Sequence, residues 1–313
     1  MKLSIIVPTT NRSSLIQTLE SIAKQTYRDF ELIVTDDTDG KARDIIERFK
    51  RNYPQIKVKY VINQKYLKGP GGNKNNGLDY AEGEFITFVD DDDVLFPDAI
   101  ETAMKQIEEK DLNVFLANCM DNVKGEKTGL SYNVSEYITY YDFLKGRYDG
   151  EYFLVCRRNL IGDDRFPDDA WGAEAVLWFK VFKKAKKMYY LDVPLKIYNV
   201  VNQDRVTFQM TKFPKRQALN YYYIINSHFQ DFKSYAPKQL LRYTLQGIYF
   251  SRLANDLKLS LYFLKKSLNS NFFLFLISLA YFSFCWLLPK KLTSLVKMRL
   301  LNNLKPTLKR FLR

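Results

Sequence analysis

Short apolar runs alternate with amphipathic segments through the first hundred residues. Leu3 to Val7 reads as a strand ended by Pro8, and Leu15, Leu19 and Ile22 then recur at helical spacing. Phe30 to Val34 predicts a second strand, and residues 42–53 a helix with Ile45, Ile46 and Phe49 on one face. Val58 to Ile62 is a third strand. A glycine-rich loop from Lys68 to Gly77 leads into a short helix near Leu78 to Ala81. Phe85 to Val89, rich in β-branched and aromatic types, is the fourth strand. Strands and helices alternating through short loops argue for an α/β fold: a mostly parallel sheet with helices on both faces. Further strands are expected at Val114 to Met120 and Tyr152 to Cys156, and helices over residues 214–268.

The fourth strand runs into Asp90, Asp91, Asp92 and Asp93. An apolar run resumes at once, and Pro97 suits the first turn of a helix. Four adjacent carboxylates repel one another, and a cation relieves the repulsion. In extended chain Asp90 and Asp92 point the same way and can share one ligand. Oxygen-only ligation suits Mg²⁺ or Mn²⁺, which keep positions open for phosphate oxygens. A solvated acidic turn is the alternative. The strand-end position favours the ligand, because α/β sheets bind at the carboxyl ends of their strands. Thr9 and Thr10 follow strand one, and Asp36 and Asp37 follow strand two, so three polar clusters can line one crevice. The glycine stretch has neither the G-x-x-x-x-G-K-[ST] nor the G-x-G-x-x-G order. It reads equally as a flexible turn or as a diphosphate contact in which Lys74 is a point charge.

With 313 residues, 46% hydrophobic and 15% aromatic, the chain can hold one large domain with an appendage. Cys119, Cys156 and Cys285 are scattered, without disulfide or metal-ligand spacing, which favours a reducing compartment. His228 is the only histidine, which argues against a His-based triad or a His-rich zinc site. Met1-Lys2-Leu3 runs straight into an apolar strand with no cleavage site of small residues, so no signal peptide is expected. Ten cations lie from Lys265 to Arg313, with no Asp or Glu after Asp256; without them the formal charge falls from +13 to +3. The basicity therefore belongs to the tail and argues against nucleic acid as a partner. Phe272 to Leu288 is seventeen residues without a charge, at the lower limit for a bilayer span. Residues 290–313 alternate leucine with lysine and arginine, a basic amphipathic pattern suited to an anionic membrane surface. Monotopic attachment is expected rather than a span, with a protein partner as a further alternative.

Taken together, Ile5-Ile6-Val7-Pro8-Thr9-Thr10-Asn11-Arg12, Gln25 to Asp37, Asn75-Asn76-Gly77-Leu78, Ala81 to Ile86 and the aspartate run through Pro97 resemble family 2 glycosyltransferases. The resemblance covers about the first hundred residues. It implies the GT-A fold, a nucleoside-diphosphate-sugar donor, most often UDP-linked, a divalent metal (Mn²⁺ or Mg²⁺) and an inverting transfer. By that resemblance Pro8, Thr9 and Asp37 hold the nucleoside, and Lys74 stands where the family often has arginine. Asp90 and Asp92 fall on the D-x-D positions, with Asp92 the first choice for metal contact. Asp91 reaches the ribose or donor sugar, and Asp93 caps the following helix. The family often has an acidic pair before a segment with Leu-Trp. Aligning on Leu177-Trp178 puts Ala173 and Glu174 there, so one acid is missing and Glu174 is the candidate catalytic base. Asp163, Asp164, Asp168 and Asp169 compete for that role. A mobile loop in related enzymes places Arg205 at the diphosphate.

The expectation is therefore a GT-A domain over residues 1–210 and a helical, membrane-associating region over 211–313. The expected activity moves a sugar to a hydroxyl of a lipid-linked or glycan acceptor in polysaccharide synthesis. Its expected place is cytoplasmic, peripheral or monotopic at the inner face of the cell membrane. Two rivals stand beside it. One is a nucleotidyltransferase, which also uses strand-end aspartates and Mg²⁺. The other is a non-catalytic membrane-bound scaffold, which the alanine at position 173 favours.

Overall fold

In the computed structural model, which describes residues 2–130, 133–170, 172–201 and 211–289, the apolar runs of the first hundred residues become neighbouring strands of one sheet. In chain order the elements are β1 (Leu3–Thr9), α1 (Leu15–Ala23), β2 (Phe30–Asp36), α2 (Arg43–Asn52), β3 (Val58–Ile62), α3 (Pro70–Leu78), β4 (Phe85–Phe88) and β5 (Val94–Leu95). Then come α4 (Ala99–Lys110), β6 (Val114–Asp121), β7 (Glu136–Ile138), α5 (Tyr140–Leu144), β8 (Tyr152–Arg157), α6 (Arg158–Ile161), α7 (Glu174–Lys184) and β9 (Met188–Tyr198). The strand order is β3-β2-β1-β4-β8-β6-β9-β5, with β7 beside β9. β1 is parallel to β2 and β4, and β2 to β3. β8 runs antiparallel to both β4 and β6, while β9 is parallel to β6 and antiparallel to β5. The sheet is thus mixed, parallel where βα units feed it and reversed at β8.

Every residue of β2 is buried, because helices cover both faces; such strands read as unbroken apolar runs. On one face Leu3, Ile5 and Val7 pack with Leu15 and Leu19 of α1, Ile46 and Phe49 of α2, and Ile100 and Met104 of α4. The other face carries Ile6 and Thr35 against α3.

The glycine-rich stretch is itself the helix α3, not a loop leading into one. Its glycines serve close packing rather than flexibility. A Cβ on Gly71 would stand 2.6 Å from the carbonyl oxygen of Pro167, and one on Gly77 would overlap Ile6. Asparagines supply the polar ties. Asn73 accepts from Thr35 Oγ1 (2.7 Å) and donates to the Thr9 carbonyl (3.1 Å). Asn75 exchanges two hydrogen bonds with the backbone of Phe166. Pro97 likewise does not open a helix. Val94–Leu95 pairs with β9 instead, and α4 starts at Ala99.

Asp36 closes β2. Its buried carboxylate accepts from Thr38 N (2.7 Å), Gly40 N (3.1 Å) and the Tyr60 hydroxyl (2.5 Å). Burial pulls its pKa up, but these bonds outweigh burial and hold it below the ordinary value. A depressed carboxylate adds stability that is full above its unfolded pKa and lost as pH falls through its folded pKa. Urea denaturation between pH 7 and pH 3 is expected to show wild type losing stability below about pH 4. Asp36→Asn should show a flatter acid limb and be less stable by about 1–3 kcal/mol at pH 7.

The chain divides into two compact units, Met1–Phe208 and Gln209–Arg313. The described part of the second is helical: α8 (Pro214–Tyr235), α9 (Pro237–Leu253), α10 (Leu257–Leu268) and α11 (Phe272–Leu287). α9 is the hub, packing against the other three. Arg252 ties it to α11 by donating to the Cys285 carbonyl (2.9 Å) and stacking over Trp286. Among the described residues no helix is long and apolar enough to cross a membrane. Arg205 and the basic tail 290–313 lie outside the described residues.

Candidate active site

Three strand ends deliver the polar clusters to one edge of the sheet. The register sets Thr9 beside Asp36 and Ile6 beside Phe88, so the chain leaves β1, β2 and β4 at the same end. Asp37 follows β2 and is buried, with its N–H on the Thr9 carbonyl (3.1 Å). Its two carboxylate oxygens accept from Asn63 Nδ2 and Gly69 N, each at 2.7 Å. Burial pushes its pKa up, against the pull of those two bonds. Pro8, partly buried, precedes the buried Thr9 at the end of β1.

The aspartates form a turn in which Asp93 N donates to the Asp90 carbonyl (3.0 Å). Their side chains have different tasks. Asp91 is buried and accepts from Thr9 Oγ1 (2.7 Å), Thr10 N (3.1 Å) and the Arg12 guanidinium (2.5 Å). Both its oxygens thus bind the β1–α1 loop, where the sequence suggested a ribose or sugar contact. Arg12 also lies 3.7 Å from Asp92, which is partly buried. Asp93 caps no helix. Asp98 stands at the N-cap of α4, and Asp93 pairs with Lys196 of β9 at 2.7 Å.

Lys74 joins Asp90 to the candidate base Glu174. Its side chain, 12% exposed, sits with Nζ 3.4 Å from Asp90 and 3.5 Å from Glu174. Burial works against its charge, but Asp90 and Glu174 outweigh burial and raise its pKa above the ordinary lysine value. Burial alone would raise the pKa of Asp90; Lys74 and Lys196 hold it low. Glu174 is the first residue of α7, after Ala173 at the N-cap. Of its competitors, Asp164 is held by Lys180 and Lys184, each at 2.7 Å, and Asp168 accepts from Leu67 N.

Among the described residues no group of three or more acidic, histidine or cysteine side chains could hold a metal ion by itself. Asp90 and Asp92 carry the hard oxygen donors that Mg²⁺ and Mn²⁺ take; in this structure Asp90 faces Lys74 and Asp92 lies near Arg12. Such ions take one or two carboxylates and complete their shell with phosphate oxygens and water.

Sequence reasoning missed Lys196 and the use of Arg12. Their signals were present: a lone cation inside the apolar run of β9, and an arginine three residues past the first strand end.

Residues 4–159 match the family model described as "Glycosyl transferase family 2". The chain is 35% identical over 282 residues to the GalNAc(5)-diNAcBac-PP-undecaprenol beta-1,3-glucosyltransferase of Campylobacter jejuni. That alignment covers 86% of this chain and 88% of the relative. Among solved structures, S. aureus TarS 1-349 in complex with UDP-GlcNAc is similar at a TM-score of 0.60 and 19% identity, covering 85% and 90% of the two chains. The mannosyltransferase PcManGT from Pyrobaculum calidifontis, in complex with GDP-Man and Mn2+, is similar at a TM-score of 0.57 and 17% identity, covering 97% and 87%. Both structural likenesses are to the GT-A type of fold.

Proposed function

The chain belongs to the family 2 glycosyl transferases, and we propose that it transfers a hexose from a UDP-sugar to a hydroxyl of a lipid-diphosphate-linked glycan, with inversion. The observation that carries this reading is the convergence of Asp90, Lys74 and Glu174 at the end of the sheet where β1, β2 and β4 also present Thr9 and Asp37. The Campylobacter relative, named for an undecaprenol-diphosphate acceptor and a glucosyl transfer, supports the acceptor class and favours glucose. The UDP-GlcNAc complex of TarS supports the nucleotide.

In this reading Pro8 and Thr9 form one wall of the nucleoside pocket, and Asp37 accepts a hydrogen bond from the base. Lys74 meets the diphosphate as a point charge, and Arg205 is assigned as a second diphosphate contact from the family resemblance alone. Asp92, with Asp90, would hold Mn²⁺ or Mg²⁺. Such an ion supplies charge neutralisation at the departing diphosphate. Glu174 takes the proton from the acceptor hydroxyl as that oxygen attacks the anomeric carbon and the bond to the diphosphate breaks. Family membership favours this over a nucleotidyltransferase, and the Glu174–Lys74–Asp90 line favours it over a scaffold.

The test is a thermal-shift panel of nucleotide sugars with Mn²⁺ and with EDTA. A UDP-sugar at 100 times its Kd is expected to stabilise the folded protein by about 2.7 kcal/mol, and EDTA should remove most of that. Folded protein that responds to no nucleotide sugar would sink the proposal.

The same reading puts the second unit at a membrane surface, at the inner face where a nucleotide sugar and a lipid-linked acceptor meet. α11 supports this because it is built inside out. Its buried residues are Ser278 and Cys285, whereas Phe272, Phe273, Leu276 and Leu287 are exposed. Lys265 and Lys266 end the preceding helix, placing cations beside the apolar tip. Phosphatidylglycerol–phosphatidylcholine vesicles are expected to sediment the wild-type chain. Phe272→Ser with Phe273→Ser should weaken that binding about tenfold or more. A wild-type chain that stays in the supernatant removes the membrane surface as partner.

A further inference from the structure

We infer that Lys196 is a positioning residue that holds the aspartate turn in place for the donor, an inference that rests on the donor-site reading above. Lys196 lies on β9 with its side chain 3% exposed, and its Nζ is 2.7 Å from Asp93 Oδ2 and 3.2 Å from Glu151 Oε1. Asp93, also fully buried, is fixed through backbone and side chain alike. Its carbonyl accepts from Thr18 Oγ1 (2.8 Å), its N–H donates to the Asp90 carbonyl (3.0 Å), and its Oδ1 accepts from Asn199 N (3.3 Å). The ladder between β5 and β9 sets Leu95 opposite Lys196, so clamp and strand pairing act at the same level.

A buried ion pair is a poor device for stability, since well-packed apolar residues in its place are often neutral or better. Direction is what it supplies. Asp92 adjoins Asp93 and Asp90 lies three positions before it, and the turn's own hydrogen bond starts at Asp93. Wherever the lysine places Asp93, the two donor-facing carboxylates follow. Burial opposes the lysine charge, but Asp93, Glu151 and Asp90 outweigh burial and raise its pKa above the ordinary lysine value. No direct contact of Lys196 with substrate is implied.

Lys196→Met leaves a buried carboxylate without its cation, so the informative variant also carries Asp93→Asn, which keeps the volume and removes both charges. UDP binding is measured by calorimetry with Mn²⁺ and with EDTA on wild type and on the double variant, alongside the kinetics with the donor varied. The double variant, shown folded by circular dichroism, is expected to bind UDP in EDTA within about twofold of wild type, because Pro8, Thr9 and Asp37 stand at the ends of other strands. The gain in affinity from Mn²⁺ should fall about 10–100-fold, and the donor KM should rise more than kcat falls. A residue that only stabilised the fold would lower the melting temperature and leave the Mn²⁺ gain untouched. A folded double variant with the full Mn²⁺ gain and an unchanged donor KM overturns the inference alone. Wild-type protein that binds no nucleotide overturns the donor site and the inference with it.

Discussion

Glu174→Gln is expected to lower kcat by about 10²–10⁴-fold while leaving the donor KM within about threefold. Glutamine keeps the length of the side chain and an oxygen able to face Lys74 Nζ, which lies 3.5 Å from Glu174 in the wild-type structure. It cannot accept the acceptor's proton. The loss therefore falls on the step in which the hydroxyl becomes a nucleophile, not on donor binding. Steady-state kinetics with each substrate varied would separate the two, and burst measurements would show whether product release masks the chemical step. Unchanged turnover would remove the base assignment and return attention to Asp163 and Asp169. It would leave the fold and the donor site where they are. The alanine at position 173 makes the prediction sharper, because no second acid precedes Glu174 to share the proton.

Asp92→Asn should cost about 10³-fold in kcat/KM, the several kcal/mol typical of charge stabilisation at a metal-held leaving group. Asp91 is tied to Thr9, Thr10 and Arg12, whereas Asp92 is partly buried with Arg12 3.7 Å away. Its neutralisation should leave the melting temperature of the nucleotide-free protein within a few degrees, because Arg12 keeps its closer partner Asp91. The Mn²⁺-dependent part of the UDP-sugar thermal shift should vanish, and the part that survives EDTA should remain. If Asp92→Asn keeps the full Mn²⁺ response, the ion is held elsewhere, with Asp90 the next residue to change.

The convergence of the polar clusters at one sheet edge was legible because it follows from local order. A strand that ends in aspartates and a strand that ends in Asp36-Asp37 meet once the βα units wind in parallel, whatever the rest of the chain does. The roles within the run of four aspartates were not legible. Neighbouring carboxylates look alike in sequence, and Thr9, Arg12, Lys196 and Asn199 distinguish them from 79 to 106 residues away. The glycine stretch misled for a similar reason. Glycine favours a loop by propensity alone, and only the backbone of Pro167 and the side chain of Ile6, pressed against it, make glycine the residue a helix needs there.

By itself the sequence determined the first four strands, the parallel start of the sheet, the acidic strand end and the charge asymmetry of the tail, since these depend on neighbours a few positions apart. Tertiary structure alone decided the reversal of the sheet at β8, the lysine that bridges Asp90 and Glu174, and the outward face of Phe272 and Phe273. The physical reason is the same for all three. Strand direction, ion pairing and burial are set by contacts between distant parts of the chain, and a local pattern of apolar and polar residues carries no record of which distant group it will meet.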